Sequence, residues 1–288
     1  MKTAIMTDTN SGISVSEGRE QGLFVLPMPV TIDGESYLEG EDITHNELYA
    51  ALRQGRNVHS SQPSPGAVMS MWDDILEQGY DELIYIPMSS GLSGSCEMAR
   101  QFAKQYGDRV RVADNRRISV TLYEAVLEAR RMVDGGANAA ETQRRLEAHA
   151  ADSSIYISVN SLEYLKRSGR VTAAGAALAA ALNLKPVLTI QGGKLDAFAK
   201  ARGMKNAQKR ILEAAEDDVY RRFGDFPTDR VALGAAGTFE RQEDADYWLD
   251  RLRQTFPGYR VYYQPLSCSI ACHVGIDAIG LGISCLSV

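Results

Sequence analysis

Three clusters of hydroxyl and imidazole side chains have the residue types and spacing to hold a carboxyl group or another small anion. The densest is Ser89-Ser90-Gly91-Leu92-Ser93-Gly94-Ser95, directly after the apolar run Leu83-Ile84-Tyr85-Ile86. Glycine lets backbone approach a ligand, hydroxyls donate hydrogen bonds, and a following helix offers free N–H groups with partial positive charge. The same serines suit a turn and a helix cap, so spacing alone leaves both roles open. The second cluster is Ser60-Ser61-Gln62-Pro63-Ser64-Pro65. Ser64 before Pro65 reads as an N-cap with a first-turn proline. Ser61 has no such duty, and its plainer reading is a turn residue. The third is Cys268-Ser269-Ile270-Ala271-Cys272-His273-Val274-Gly275. His273, one of four histidines, sits in what reads as a strand-to-glycine connection, whereas His45, His59 and His149 have plainer surroundings. A satisfied structural imidazole is the alternative.

Gly91-Leu92-Ser93-Gly94-Ser95 also approaches the G-x-S-x-G nucleophile elbow, with Ser95 in place of the closing glycine. An alternative function follows: a serine hydrolase acting on a lipid ester, with Ser93 as nucleophile and His273 as base. No third triad member stands out, since Asp225, Asp229 and Asp244 read as surface residues.

The elements that must position these clusters alternate along the chain. Lys2 to Met6, Leu83 to Ile86 and Arg109 to Ala113 read as strands. Gly66 to Gln78, Gly94 to Tyr106, Ile118 to Val133 and Ala140 to Ala150 have helical spacing. Strands alternating with helices predict an α/β fold with a mostly parallel sheet and flanking helices over residues 1–152. Leu23 to Ile32 is apolar but carries Pro27 and Pro29, which suits an edge or an irregular connection. A second α/β domain is expected over 153–288, with strands at Ile155 to Val159, Arg230 to Gly234 and Tyr259 to Tyr263. Pro186 to Ile190 and Leu195 to Ala199 flank the hairpin signal Gln191-Gly192-Gly193-Lys194. Charged helices run from Met204 to Phe223 and from Gln242 to Gln254. Open α/β sheets bind ligands beyond the carboxyl ends of their strands, which is where the serine clusters fall.

Composition narrows the function classes. The 288 residues are enough for two domains with sizeable cores. The 31 basic and 37 acidic residues give a net charge of −6, which argues against non-specific nucleic-acid binding. Nothing resembles a signal peptide, and the longest apolar run, Ala173 to Leu182, falls short of the roughly 20 residues of a membrane span. A cytosolic protein without stable membrane insertion is expected. The four cysteines, Cys96, Cys268, Cys272 and Cys285, lack the paired spacing of zinc sites, so free buried thiols are expected and no metal.

Taken in order, these segments resemble the DegV family. The resemblance runs from Thr7-Asp8-Thr9 through both serine clusters to Leu162-Glu163-Tyr164-Leu165-Lys166-Arg167-Ser168-Gly169-Arg170, Lys185-Pro186-Val187-Leu188 and His273. It implies a protein that holds a long-chain fatty acid between its domains, takes no other cofactor and performs no chemistry alone. Some family members serve as the lipid-presenting subunit of bacterial fatty acid kinase, which implies the kinase catalytic subunit as a partner. The resemblance assigns the carboxylate to Ser61 and Ser93 with His273 beside it. It assigns Arg170, and by likeness Arg202, to partner contact or the phosphoryl step. The family's Gly-Pro-Gly after the histidine is Gly275-Ile276-Asp277 here. The small residues of Ala173 to Leu182 suit room for an acyl tail and equally suit close helix packing. No Walker-type sequence is present to bind ATP.

Overall fold

The computed structural model describes residues 1–177, 184–191 and 193–287. The first half alternates β1 (Thr3–Asp8), α1 (Val15–Glu20), β2 (Phe24–Leu26), β3 (Pro29–Ile32), β4 (Glu35–Leu38), α2 (His45–Arg53) and β5 (Val58–Ser60). It continues with α3 (Pro65–Glu77), β6 (Glu82–Ile86), α4 (Ser95–Ala103), β7 (Val110–Val112), α5 (Val120–Asp134) and α6 (Ala139–Ala148). Local chemistry sets many of the starts. Ser14 with Glu17 and Thr44 with Glu47 form capping boxes, and Ser64 accepts the Ala67 N–H at 3.1 Å ahead of Pro65, as its sequence predicts.

Four parallel strands pair in the order β2-β1-β6-β7. The chain leaves β1 for β2 on one side and β6 for β7 on the other, so the topological switch lies between β1 and β6. A crevice for a ligand opens beyond the carboxyl ends of those two strands. The apolar stretch around Pro27 and Pro29 does not form one irregular edge. It divides into β2, at the edge of this sheet, and β3, the centre of a small antiparallel sheet β4-β3-β5 that the sequence pattern did not reveal. Short strands of three or four residues carry too little alternation to be read.

The second half runs β8 (Ser153–Ser158), α7 (Glu163–Ser168), α8 (Ala173–Ala177), β9 (Leu184–Ile190), β10 (Asp196–Arg202) and α9 (Met204–Asp217). Then come β11 (Val231–Gly237), α10 (Gln242–Thr255), β12 (Arg260–Pro265), α11 (Cys268–Val274) and β13 (Ile279–Cys285). Its six strands form one sheet, β10-β9-β8-β13-β11-β12, antiparallel except for the β11–β12 pair. β9 and β10 form the expected hairpin. The alanine-rich run expected as a helix over 173–182 is helical at Ala173–Ala177. Its remainder, and Gly192 of the hairpin turn, lie outside the described residues.

α5 joins the two halves. One side packs Leu122, Ala125, Val126 and Ala129 with Ile5, Ile84 and Ile86 of the parallel sheet. Its amino end meets the six-stranded sheet at Gly234 and Gly282, which are cross-strand partners on β11 and β13. A Cβ at Gly234 would sit 2.4 Å from the Val120 Cβ, and one at Gly282 would sit 2.5 Å from Val120 Cγ2. Only glycine at both positions lets the helix approach so closely. Among the described residues no helix is long and apolar enough to cross a membrane.

Candidate functional site

A narrow cavity, open to solvent at its mouth, lies between the two sheets. The loops beyond the carboxyl ends of β1, β6 and β7 supply one wall, including Asn10, Met88, Leu92 and Ile118. The six-stranded sheet supplies the other through Ile155, Ile157, Ile190, Ala236 and Leu281. Leu92, Ile118, Ile157, Leu165, Ile190 and Leu195 belong to a single buried apolar cluster. The lining is therefore mostly hydrocarbon, with polar groups gathered at a few places, the usual design for a small amphipathic ligand.

Ser60, Ser61, Gln62, Ser93, Arg170 and His273 form a polar part of the lining, where the Ser60 hydroxyl meets His273, Gln62 Oε1 lies beside Gly94, and Arg170 donates to the Leu92 carbonyl. Three of the residues singled out by sequence, Ser61, Ser93 and His273, thus line one cavity although they span more than 200 positions. Arg170 joins them. Arg202 does not: it is exposed on β10, beside Lys200, Asn206, Lys209, Arg210 and Glu213.

The serines of the β6–α4 loop divide by role, which spacing could not show. Ser89 is buried and accepts the Gly91 N–H at 3.2 Å. Ser90 donates to Asp114 at 2.5 Å. Ser93 accepts the Ser95 N–H at 3.2 Å and keeps its own proton available, facing the cavity. The loop's glycines are needed for approach: a Cβ at Gly91 would lie 3.0 Å from the Gly193 backbone, where the β9–β10 turn comes over the loop.

His273 is not in a strand-to-glycine connection. It lies on α11, a helix of seven residues capped by Ser267, whose hydroxyl accepts the Ile270 N–H at 3.2 Å. The segment carries small and apolar residues without a charged face, so no 3.6-residue pattern announced it. The Nε2 of His273 is 2.7 Å from the Ser60 hydroxyl, and its Nδ1 is buried without a hydrogen-bond partner among the described residues. An orphaned buried donor is rarer than an under-satisfied acceptor, which assigns the imidazole proton to Nε2. His273 then donates to Ser60, and the Ser60 hydroxyl is free to donate onward into the cavity. Burial holds the imidazole at about 4, aided by the positive charges of Arg170, His59 and Arg167. At neutral pH it is an uncharged dipole.

Ser60 is not distinguished by sequence from Ser61, which directly precedes Gln62-Pro63-Ser64. Ser60 is the half-buried last residue of β5, a strand of three residues whose alternation is too short to mark it.

Beside this polar end a second hollow shares Ser60, Arg170 and His273 with the cavity and adds His59, Tyr164 and Arg167. Arg167 donates to the Val58 carbonyl at 3.2 Å, and Arg170 donates to the Leu92 carbonyl at 3.3 Å and to that of Ser168 at 2.5 Å. No salt bridge ties either arginine to a carboxylate among the described residues. The hollow is therefore electropositive and suited to an anion. Gly275, after His273, has φ +74, and a Cβ there would lie 2.8 Å from the Tyr164 ring. Asp277 takes φ +60, a left-handed geometry that aspartate tolerates. Its side chain is exposed and lies in the field of Arg241 rather than of His273.

The hydrolase geometry is not met. His273 engages Ser60 rather than Ser93, its other nitrogen meets no carboxylate, and the charged groups acting on it are all basic. A nucleophile–base–orienter chain is missing at two links.

Behind this wall, ligand atoms of Glu39, His45 and Cys268 lie within 4.8 Å of one another. Two of the three already hydrogen-bond to the protein. Glu39 accepts from the Thr9 hydroxyl at 2.8 Å and from the N–H groups of Cys268 at 2.5 Å and Ser269 at 3.4 Å. His45 Nε2 lies 3.0 Å from the Leu266 carbonyl. All four cysteines are buried and free.

The family model described as an uncharacterised protein of the DegV family matches residues 2–285. A DegV domain-containing protein of Streptomyces coelicolor is 30% identical over 282 residues, covering 98% of each chain. Another from Caldanaerobacter subterraneus is 31% identical over 283 residues, covering 97% of this chain and 98% of its own. Among solved structures, a Thermus thermophilus DegV family protein described for its fatty acid binding superposes with a TM-score of 0.87 at 29% identity. That match covers 99% of this chain and 100% of the other. DegV of Bacillus subtilis, described as a fatty acid binding protein, shares the fold with a TM-score of 0.85 at 24% identity, covering 99% of both chains.

Proposed function

Because the chain belongs to the DegV family, we propose that it binds one long-chain fatty acid between its two halves and presents the carboxyl group to a partner kinase. The observation that carries the reading is the cavity itself: a hydrocarbon lining closed at one end by Ser60, Ser61, Ser93 and His273. Each buried methylene contributes about 0.8 kcal/mol, so a dozen supply roughly 10 kcal/mol before the costs of association. The carboxyl group needs partners to be buried at all. Ser61 and Ser93 supply hydroxyl donors, and His273 acts through Ser60, its neutral dipole oriented toward the acid.

Hydroxyls suit a ligand whose head group changes state, because they rotate to donate or accept. We assign Arg170 to the phosphoryl end, since it borders both the cavity and the electropositive hollow outside it. Arg202, exposed among other cations on β10, is assigned to partner contact. The kinase supplies ATP and metal, and this chain supplies the acid in an orientation that leaves its carboxyl group open to the hollow.

Mass spectrometry of solvent extracts from purified protein tests the binding reading. A stoichiometric C14–C20 fatty acid is expected, and protein that neither carries nor takes up any fatty acid would refute it. The kinase reading is tested by incubating lipid-loaded protein with a bacterial fatty acid kinase catalytic subunit, ATP and Mg²⁺, then trapping acyl phosphate with hydroxylamine. Hydroxamate no higher than in a protein-free control would overturn that part while leaving lipid binding intact.

A further inference from the structure

We propose that the cavity contains a second polar notch, built from Ser119, Asn10 and Ser269, which receives a hydroxyl group carried mid-chain by the bound acid. This inference rests on the fatty-acid reading and narrows its ligand to a hydroxylated long-chain fatty acid.

Ser119, Asn10 and Ser269 all line the same cavity as the head-group residues. They are 7%, 1% and 4% exposed, so each is more than nine-tenths buried. Ser119 occupies the N-cap position of α5, where a serine ordinarily accepts a backbone N–H, yet its side chain makes no capping bond. Its hydroxyl has no hydrogen-bond partner among the described residues. Its backbone is held at φ +54, and its N–H donates to the Asn10 carbonyl at 2.7 Å. The Asn10 side-chain oxygen accepts from the Ser269 hydroxyl, and also from that of Ser267 at 3.0 Å. Asn10 therefore links Ser119 and Ser269 into one patch. Ser269 has committed its proton and keeps lone pairs to accept with, while Ser119 retains both functions. A ligand hydroxyl can donate to Ser269 and accept from Ser119.

A plain methylene at this place would shut the Ser119 hydroxyl away from water without giving it a partner. Sites built to bond a hydroxyl discriminate against analogues lacking it for that reason. Position along the chain follows from α11, on which Ser269 precedes His273 by four residues. Four helical residues advance about 6 Å, to which the His273–Ser60 and Ser60–carboxyl hydrogen bonds add about 3 Å each. A zigzag chain of roughly 1.5 Å bonds advances about 1.3 Å per carbon, so about 12 Å places the notch against an extended chain roughly nine to ten carbons from the carboxyl end.

The test is competitive binding to delipidated full-length protein of octadecanoic, 10-hydroxyoctadecanoic and 2-hydroxyoctadecanoic acids. The 10-hydroxy acid is expected to bind about tenfold more tightly than octadecanoic acid, and the 2-hydroxy isomer to show no such gain. Ser119→Gly, which suits the left-handed backbone, and Ser269→Ala are each expected to bring the ratio toward one. Equal or weaker binding of the 10-hydroxy acid, an equal gain from the 2-hydroxy isomer, or an unchanged ratio in both variants would overturn the notch. Failure of all three acids to bind would instead overturn the fatty-acid reading on which it rests.

Discussion

The hydroxyl of Ser60 lies 2.7 Å from Nε2 of His273, a contact between residues 213 positions apart. It ties the last residue of β5 to the helix before β13 at the polar end of the cavity. It also makes Ser60 the link through which the imidazole acts. Ser60→Ala should weaken fatty-acid affinity about five- to tenfold, the worth of one neutral hydrogen bond of roughly 1 kcal/mol. Fluorescent fatty-acid displacement checks this, and unaltered affinity would remove Ser60 and His273 from the head-group site together.

Ser93 keeps its proton free while accepting the Ser95 N–H at 3.2 Å. Ser93→Ala should therefore lower the lipid content of purified protein while shifting the melting temperature little. Lipid content equal to wild type would exclude Ser93 as a carboxyl ligand. Labelling of Ser93 by a fluorophosphonate would instead restore the hydrolase alternative.

His273 stays neutral down to about pH 4 because burial opposes its charge. Fatty-acid affinity should accordingly show no step near the ordinary histidine value of 6.5. Because the folded value is depressed, stability from this group is present above 6.5 and is lost as pH falls toward 4. A binding profile with a clear inflection near 6.5, absent in His273→Gln, would show that a charged imidazole holds the carboxylate.

Glu39 behaves in the opposite sense. Burial raises it from 4.5 to about 7, so its folded form holds a proton more tightly than the unfolded chain does. Its contribution is complete below 4.5 and is lost as pH rises through about 7. Between pH 4.5 and 8 the stability of wild type relative to Glu39→Gln should fall by on the order of 2–3 kcal/mol. Urea melts at both pH values measure it, and a pH-independent difference would mean that Glu39 is ionised throughout.

Gly275 combines φ +74 with a virtual Cβ only 2.8 Å from the Tyr164 ring. Gly275→Ala should cost at least 1–2 kcal/mol from the left-handed backbone, with displacement of Tyr164 adding to it. Thermal unfolding checks the loss. A variant as stable as wild type would show that the loop after His273 can relax.

The order and type of the longer elements were legible in the chain because apolar periodicity repeats over many residues. The α/β alternation of the first half, the β9–β10 hairpin and the Ser64–Pro65 helix start all follow from local patterns. Ser61, Ser93 and His273 stood out by residue type and by place beside strand ends, and the likeness to a known family put them in one site. Sequence did not reveal α11, the small β4-β3-β5 sheet or Ser60, whose signals are short or masked by neighbours. Nor did it tell which of four loop serines faces the cavity, since Ser89 and Ser90 differ from Ser93 only in what lies across from them. Those decisions belong to packing between distant segments: Gly234 and Gly282 admit α5 onto the second sheet, and the packing of α11 on β5 sets Ser60 against His273. Periodicity is a property of neighbours along the chain, whereas a cavity and its polar end exist only where two separately folded surfaces meet.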